Sequence, residues 1–181
     1  MKADSKRFLR FIIIFAAVFA GLYFGIKILE GLAVPGGNYS PFVDKYLDIA
    51  SWIRSSLIVS VKFIMSLEGY ETYRPNEYLL TVVNGKGISI VYSCLGFGVM
   101  SFWAAFALAA EGTKKSRLIW LLIGLGSLWL LNVLRIALVM IAANKGWRFP
   151  FGWDHHTWFN IIAYAFIFIM IYFHEKQRGK Q

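Results

Sequence analysis

Residues 118–143 read LIWLLIGLGSLWLLNVLRIALVMIAA. The stretch is longer than the about 20 apolar residues a helix needs to cross a bilayer. Its only charge is Arg135, and it follows the short basic loop Glu111-Gly112-Thr113-Lys114-Lys115-Ser116-Arg117. An apolar run of this length reads as a membrane span rather than a core helix. The rest of the chain agrees. Of 181 residues, 58% are hydrophobic and 16% charged, and the mean hydropathy is +0.57. Soluble domains are about 45–50% apolar and about a quarter charged. A chain this small has too little interior to hide the excess. A soluble enzyme and a disordered chain are therefore excluded. With Cys94 as the sole cysteine, so is a disulfide-stapled module.

Three further spans are expected, at about residues 8–29, 93–110 and 157–173. The prediction is an all-α integral membrane protein: a bundle of about four transmembrane helices with an outer amphipathic helix and a small β-hairpin. It forms a single membrane domain over residues 1–181. The amphipathic helix is residues 49–67. Trp52, Ile53, Leu57, Ile64 and Met65 make one side apolar, but Arg54, Lys62 and five serines interrupt it. It is read as lying in the membrane interface. The basic residues decide this count. They cluster at Lys2, Lys6, Arg7 and Arg10, at Lys114, Lys115 and Arg117, and at Lys176, Arg178 and Lys180. Four spans put all three clusters on one side, which the positive-inside rule makes cytoplasmic. The net charge of +9 is thus mostly topological, and no nucleic-acid partner is expected.

The N-terminus resembles a signal peptide up to Val18-Phe19-Ala20, but the apolar run continues through Leu29, so an uncleaved first helix is expected. Gly21 and Gly25 stand at GxxxG spacing, a weak signal of helix packing. Residues 30–92 then form an extracytoplasmic segment. Within it, residues 78–83 and 88–92 flank Asn84-Gly85, the signature of a hairpin with a type I′ turn.

Three groups of residues are candidates for chemistry. Cys94, in Tyr92-Ser93-Cys94-Leu95-Gly96, is placed at the start of the second span, where a thiolate is favoured as a nucleophile. The bland alternative is an inert buried thiol. Arg135 lies roughly 27 Å along its helix from Arg117, close to the outer boundary. Asn132, one turn earlier, shares its face. Intramembrane arginines usually face a polar site inside the bundle, although a snorkelling side chain is the other reading. Asp154, His155 and His156 begin the last span, with Asn160 one turn on from His156. A histidine there can act as acid or base. Two adjacent histidines also allow metal binding, but no HExxH motif supports it, and no metal or other cofactor is expected. His174 is read as a cytoplasmic surface residue. The topology was set by other residues, yet it puts the cysteine, the arginine and the histidines at one depth on one face.

Over about residues 78–173 the chain resembles the exosortase/archaeosortase family. The resemblance rests on Ser93-Cys94-Leu95-Gly96 after a hairpin, on Asn132-Val133-Leu134-Arg135 in the next span, and on Asp154-His155-His156 at the start of a later one. The family's larger members have more spans, so this is a short form, and its single histidine could correspond to either His155 or His156. The resemblance implies a membrane-embedded cysteine transpeptidase or protease in the bacterial cytoplasmic (inner) membrane, with its active site facing the extracytoplasmic side. It implies catalytic roles for Cys94, Arg135 and His156 or His155. Asn132, Asp154 and Asn160 are then expected to line the substrate site. The implied partners are exported proteins with a C-terminal sorting signal (a short motif, a transmembrane helix and a basic tail), alongside membrane lipid. The processed protein could pass to an envelope acceptor. The competing reading is a non-enzymatic membrane partner in envelope polysaccharide or protein export.

Overall fold

The computed structural model describes residues 2–36, 38–147, 152 and 155–178, and for residues 2–4, 155, 156 and 178 the backbone alone. Six α-helices are seen among them: α1 (Lys2–Ala33), α2 (Pro41–Leu47), α3 (Ile49–Leu67), α4 (Phe97–Ala109), α5 (Lys114–Lys145) and α6 (His155–Arg178). Three short strands, β1 (Thr72–Tyr73), β2 (Leu79–Val82) and β3 (Gly87–Ser89), lie between α3 and α4. The predicted all-α membrane architecture is observed.

The helix ends follow from local chemistry. Thr113 caps α5 by accepting a hydrogen bond from the Ser116 amide at 3.2 Å. Gly146, with φ of 68°, ends it, and the Trp147 amide returns to the Ala142 carbonyl at 2.9 Å. This is a Schellman closure, which needs a residue free to adopt a left-handed backbone. Asp48 caps α3 through the Ser51 amide at 2.9 Å.

Two apolar cores are stacked along α5. The lower one joins α4, α5 and α6 through Val99, Trp103, Phe106, Leu128, Phe159, Ala163 and Ile167. The upper one joins α3, the sheet, the segment before α4 and the C-terminal half of α5 through Leu57, Val61, Met65, Leu80, Ile90, Leu95, Val133 and Met140. Asn132 lies between the lower core's Leu128 and the upper core's Val133. In the lower core α4 runs antiparallel to both α1 and α5. Phe15 of α1 meets Phe102 of α4 at 5.2 Å between ring centroids, and Phe11 meets Phe106 at 6.1 Å. The ladder Phe11-Phe15-Phe19-Tyr23, spaced one turn apart and stacked at 5.7–6.1 Å, makes this seam. The GxxxG spacing, a weak signal, marks no close packing among the described residues, since nothing approaches within 4 Å of a Cβ built on Gly21 or Gly25.

The helices long and apolar enough to span a membrane are α1, α3, α5 and α6. This differs from the expected set. Helix α4 covers only Phe97–Ala109, about 20 Å at 1.5 Å per residue, against a hydrocarbon core of about 30 Å. It is buried along most of its length, so its packing rather than its reach defines it. Helix α3 has the length and apolarity of a span, and it lies beside the C-terminal half of α5. Trp129 donates to the Ser56 hydroxyl at 3.1 Å, and the hairpin above contacts Asn144, near the end of α5, through the Lys86 amide at 2.7 Å.

The predicted hairpin is the larger part of a three-stranded antiparallel sheet, β1-β2-β3. Its turn is not the two-residue type I′ turn expected. Val82 pairs with Lys86 across a three-residue loop, the Gly85 amide closes on the Val82 carbonyl at 3.0 Å, and Asn84 alone takes a positive φ, 58°.

Trp103 is fully buried, and its indole nitrogen fills the space above Gly124 while donating to the Trp120 carbonyl at 3.1 Å. A side chain at position 124 must displace that ring. Gly124→Val is expected to destabilise the bundle by about 1–3 kcal/mol, the usual cost of overpacking. The check is a lowered thermal midpoint in detergent, with Gly126→Val as control because a Cβ there meets nothing.

Candidate functional site

Cys94 ends a single 3-10 turn, Tyr92–Cys94, whose geometry is set by Cys94 donating its amide to the Val91 carbonyl at 2.8 Å. The chain then reverses at Gly96, where φ is 76°, and α4 begins at Phe97. Cys94 therefore precedes α4 by one turn rather than occupying its first turn. A side chain at Gly96 would be strained at this φ, and its Cβ would stand 3.4 Å from the Asn132 amide nitrogen. Cys94 is 7% exposed, and its thiol is turned toward the Ser89 carbonyl at 3.9 Å. At that length the S–H donor makes only a weak bond.

Asn132 joins this turn to Arg135. Its amide nitrogen donates to the Cys94 carbonyl at 2.8 Å, and its oxygen accepts from Arg135 Nη1 at 3.2 Å. The opposite amide orientation would set donor against donor, so the two partners fix the side chain. Asn132 is fully buried. Arg135 is 9% exposed, and its guanidinium carbon lies 4.6 Å from the centre of the Phe159 ring. This is a cation–π contact between α5 and α6. The cysteine and the arginine, expected at one depth, are thus two hydrogen bonds apart. The snorkelling alternative does not apply, because Arg135 turns inward.

On its far side Arg135 borders an apolar groove of about 180 Å³ between α5 and α6, lined by Leu134, Leu138, Trp158, Phe159 and Ile162. Phe159 follows His155 and His156 by one turn of α6. That puts the backbone of the histidine pair one turn from the ring under Arg135. Their side chains, and Asp154 altogether, lie outside the described residues. Asn160 is exposed on α6.

Three features escaped the sequence reading. Arg54 of α3 is not solvated: it is 4% exposed, donates its Nε to the Ile90 carbonyl at 3.1 Å and stacks on Tyr78 at 4.3 Å. Because the Ile90 amide itself donates to the Tyr78 carbonyl at 2.7 Å, one guanidinium closes the open end of the hairpin four residues before Cys94. An amphipathic pattern gave no sign of this, since an arginine on a polar face is ordinarily solvated. Tyr92 buries its hydroxyl without a hydrogen-bond partner among the described residues, and burial together with the Glu30 carboxylate pushes the phenol above its ordinary pKa. His174 is also not a surface residue. It is 4% exposed, wedged between Phe106 and Trp120 at 5.5 and 5.4 Å.

The sequence model described as transmembrane exosortase matches residues 4–173. No curated protein and no solved structure matches the chain.

Replacing Asn132 by Leu leaves the Cys94 carbonyl and the Arg135 guanidinium without this partner. An unmade buried hydrogen bond costs about 1–3 kcal/mol. The expected result is a lower thermal midpoint together with faster alkylation of Cys94 by a small maleimide; an unchanged alkylation rate would show that the asparagine does not hold the turn.

Proposed function

Since the chain belongs to the transmembrane exosortase family and is a multi-pass membrane protein, we propose that it is a cysteine transpeptidase or protease acting on the C-terminal sorting signal of exported proteins. The observation that carries this reading is the buried Cys94–Asn132–Arg135 connection. Arginine is costly in such a place, and here Asn132 joins it to the backbone carbonyl of the residue that carries the chain's only thiol.

In this proposal the Cys94 thiolate attacks the scissile carbonyl. The carbonyl oxygen becomes an oxyanion, and Arg135 stabilises it. One guanidinium N–H is engaged by Asn132, which aims the group. The C–N bond then breaks, a thioester to Cys94 forms, and the leaving amine takes a proton. His156 or His155, at the head of α6, is the proposed carrier of that proton. Water resolves the thioester to a free acid, and an amine from an envelope acceptor resolves it to a transferred product. Asp154 and Asn160 are proposed to contact the substrate. The groove between α5 and α6, with Leu134 and Leu138 about half exposed along it, is proposed to receive the apolar part of the signal.

In this reading the site faces the extracytoplasmic side of the cytoplasmic membrane. Lys114, Lys115 and Arg117 at the start of α5, and the last turns of α6, where Gln177 accepts from the Trp120 indole, lie at the opposite end of the bundle from Cys94. In this reading α3 and the sheet belong to the outer end.

Cys94→Ala is expected to abolish processing of an exported protein bearing such a signal, seen on a gel as the accumulated precursor. Arg135→Gln is expected to slow it by about 10²–10³-fold, as for loss of an oxyanion donor. Normal processing in Cys94→Ala cells combined with a defect in Arg135→Gln cells would favour the non-enzymatic export partner instead.

A further inference from the structure

The sheet ends in an unguarded edge that runs directly into the cysteine. Alternate residues of an antiparallel strand turn their N–H and C=O groups to opposite sides. Within the hairpin, Ile90 bonds to Tyr78 and Lys86 to Val82, and Leu80 stands opposite Ile88. The even-numbered residues of β3 therefore face β2, and Gly87 and Ser89 face away from it. Among the described residues no strand pairs with that outer side. Gly87 and Ser89 are both exposed. Cys94 is found on the same side, because its thiol is turned toward the Ser89 carbonyl.

We infer that the free edge of β3 binds the extended segment of the substrate that contains the scissile bond, adding it as a fourth strand. The inference rests on the proposed role of Cys94 as nucleophile and states how its substrate is held. A free edge offers main-chain donors and acceptors at a regular repeat, which suits an extended peptide and is tolerant of its side chains. Gly87 and Ser89 are small, so they do not obstruct the approach. The incoming backbone runs past the thiol, because the chain carrying the edge folds back through one 3-10 turn to place Cys94 against it. Binding also changes the thiol. A peptide N–H is a stronger donor than S–H, so pairing with the Ser89 carbonyl releases the cysteine from the contact it makes without substrate.

The test uses the full chain in detergent and two alkylating probes. Acetyl-tetra-alanyl chloromethyl ketone presents an extended backbone; chloroacetone carries the same reactive group without one. Both react by displacement of chloride by the Cys94 sulfur, so the ratio of their rates isolates recognition of the backbone. The extended probe is expected to react about tenfold faster, the contribution of one or two strand hydrogen bonds. N-methylation of its amides is expected to remove that advantage. Ser89→Pro deletes an N–H on the outer side and spares the bond from Ile90 to Tyr78, so it is expected to act likewise, while Ser89→Ala keeps the advantage. Each variant's chloroacetone rate serves as its own baseline, and the ratio of the two rates is what is read. An extended probe no faster than chloroacetone, or indifferent to N-methylation, overturns the inference and leaves Cys94 as a nucleophile. Failure of both probes to alkylate Cys94 removes the nucleophile and this inference together. If Ser89→Pro does not fold, the N-methylated probe on the unaltered protein decides alone.

Discussion

The arrangement around Cys94 depends on a single buried amide. Asn132 has no exposure and sits where the two apolar cores meet. There an unpaired polar group is costly, so its partners are fixed. One is the Cys94 carbonyl, which has no α-helical partner because the chain leaves the 3-10 turn and reverses at Gly96. The other is Arg135, whose burial is in turn tolerable because the asparagine oxygen and the face of Phe159 receive its charge. Remove the amide and three elements lose their common point: the turn before α4, the middle of α5 and the head of α6.

Around that point the molecule divides its labour. The lower core is aromatic and tightly keyed, with Trp103 seated over Gly124 and α4 enclosed by its neighbours. The upper core is aliphatic and carries the sheet. Its own buried cation, Arg54, ties Tyr78 to Ile90. Two buried arginines thus support the segment that carries the cysteine. Arg135 acts through Asn132 and Arg54 acts through the hairpin.

Much of this was legible in the sequence, and the reason is the low charge of the chain. In an apolar span a lone Arg135 stands out, and Asn132 one turn away stands out with it. Cys94 is unique, and the hairpin announces itself by Asn84-Gly85. What was not legible depended on tertiary contact. Arg54 lies in a helix whose serines and Lys62 make any arginine look solvated, and only the fold shows it covered by Tyr78. His174 sits beside Glu175 and Lys176, a charged tail by composition, yet the ring is enclosed by Phe106 and Trp120 from two other helices. The third strand, Thr72–Tyr73, is too short to show a pattern. Gly21 and Gly25 matched a packing motif that the phenylalanine ladder makes unnecessary.

The bond between Asn132 and Cys94 spans 38 residues of sequence, and synthesis meets its two ends in order. The cysteine turn leaves the ribosome first, while the helix that holds it is still to come. The two halves of the site meet only once α5 has entered the membrane beside α4. A chain halted before Asn132 carries the cysteine with neither of its polar neighbours on α5, so assembly of the site is tied to completion of that helix.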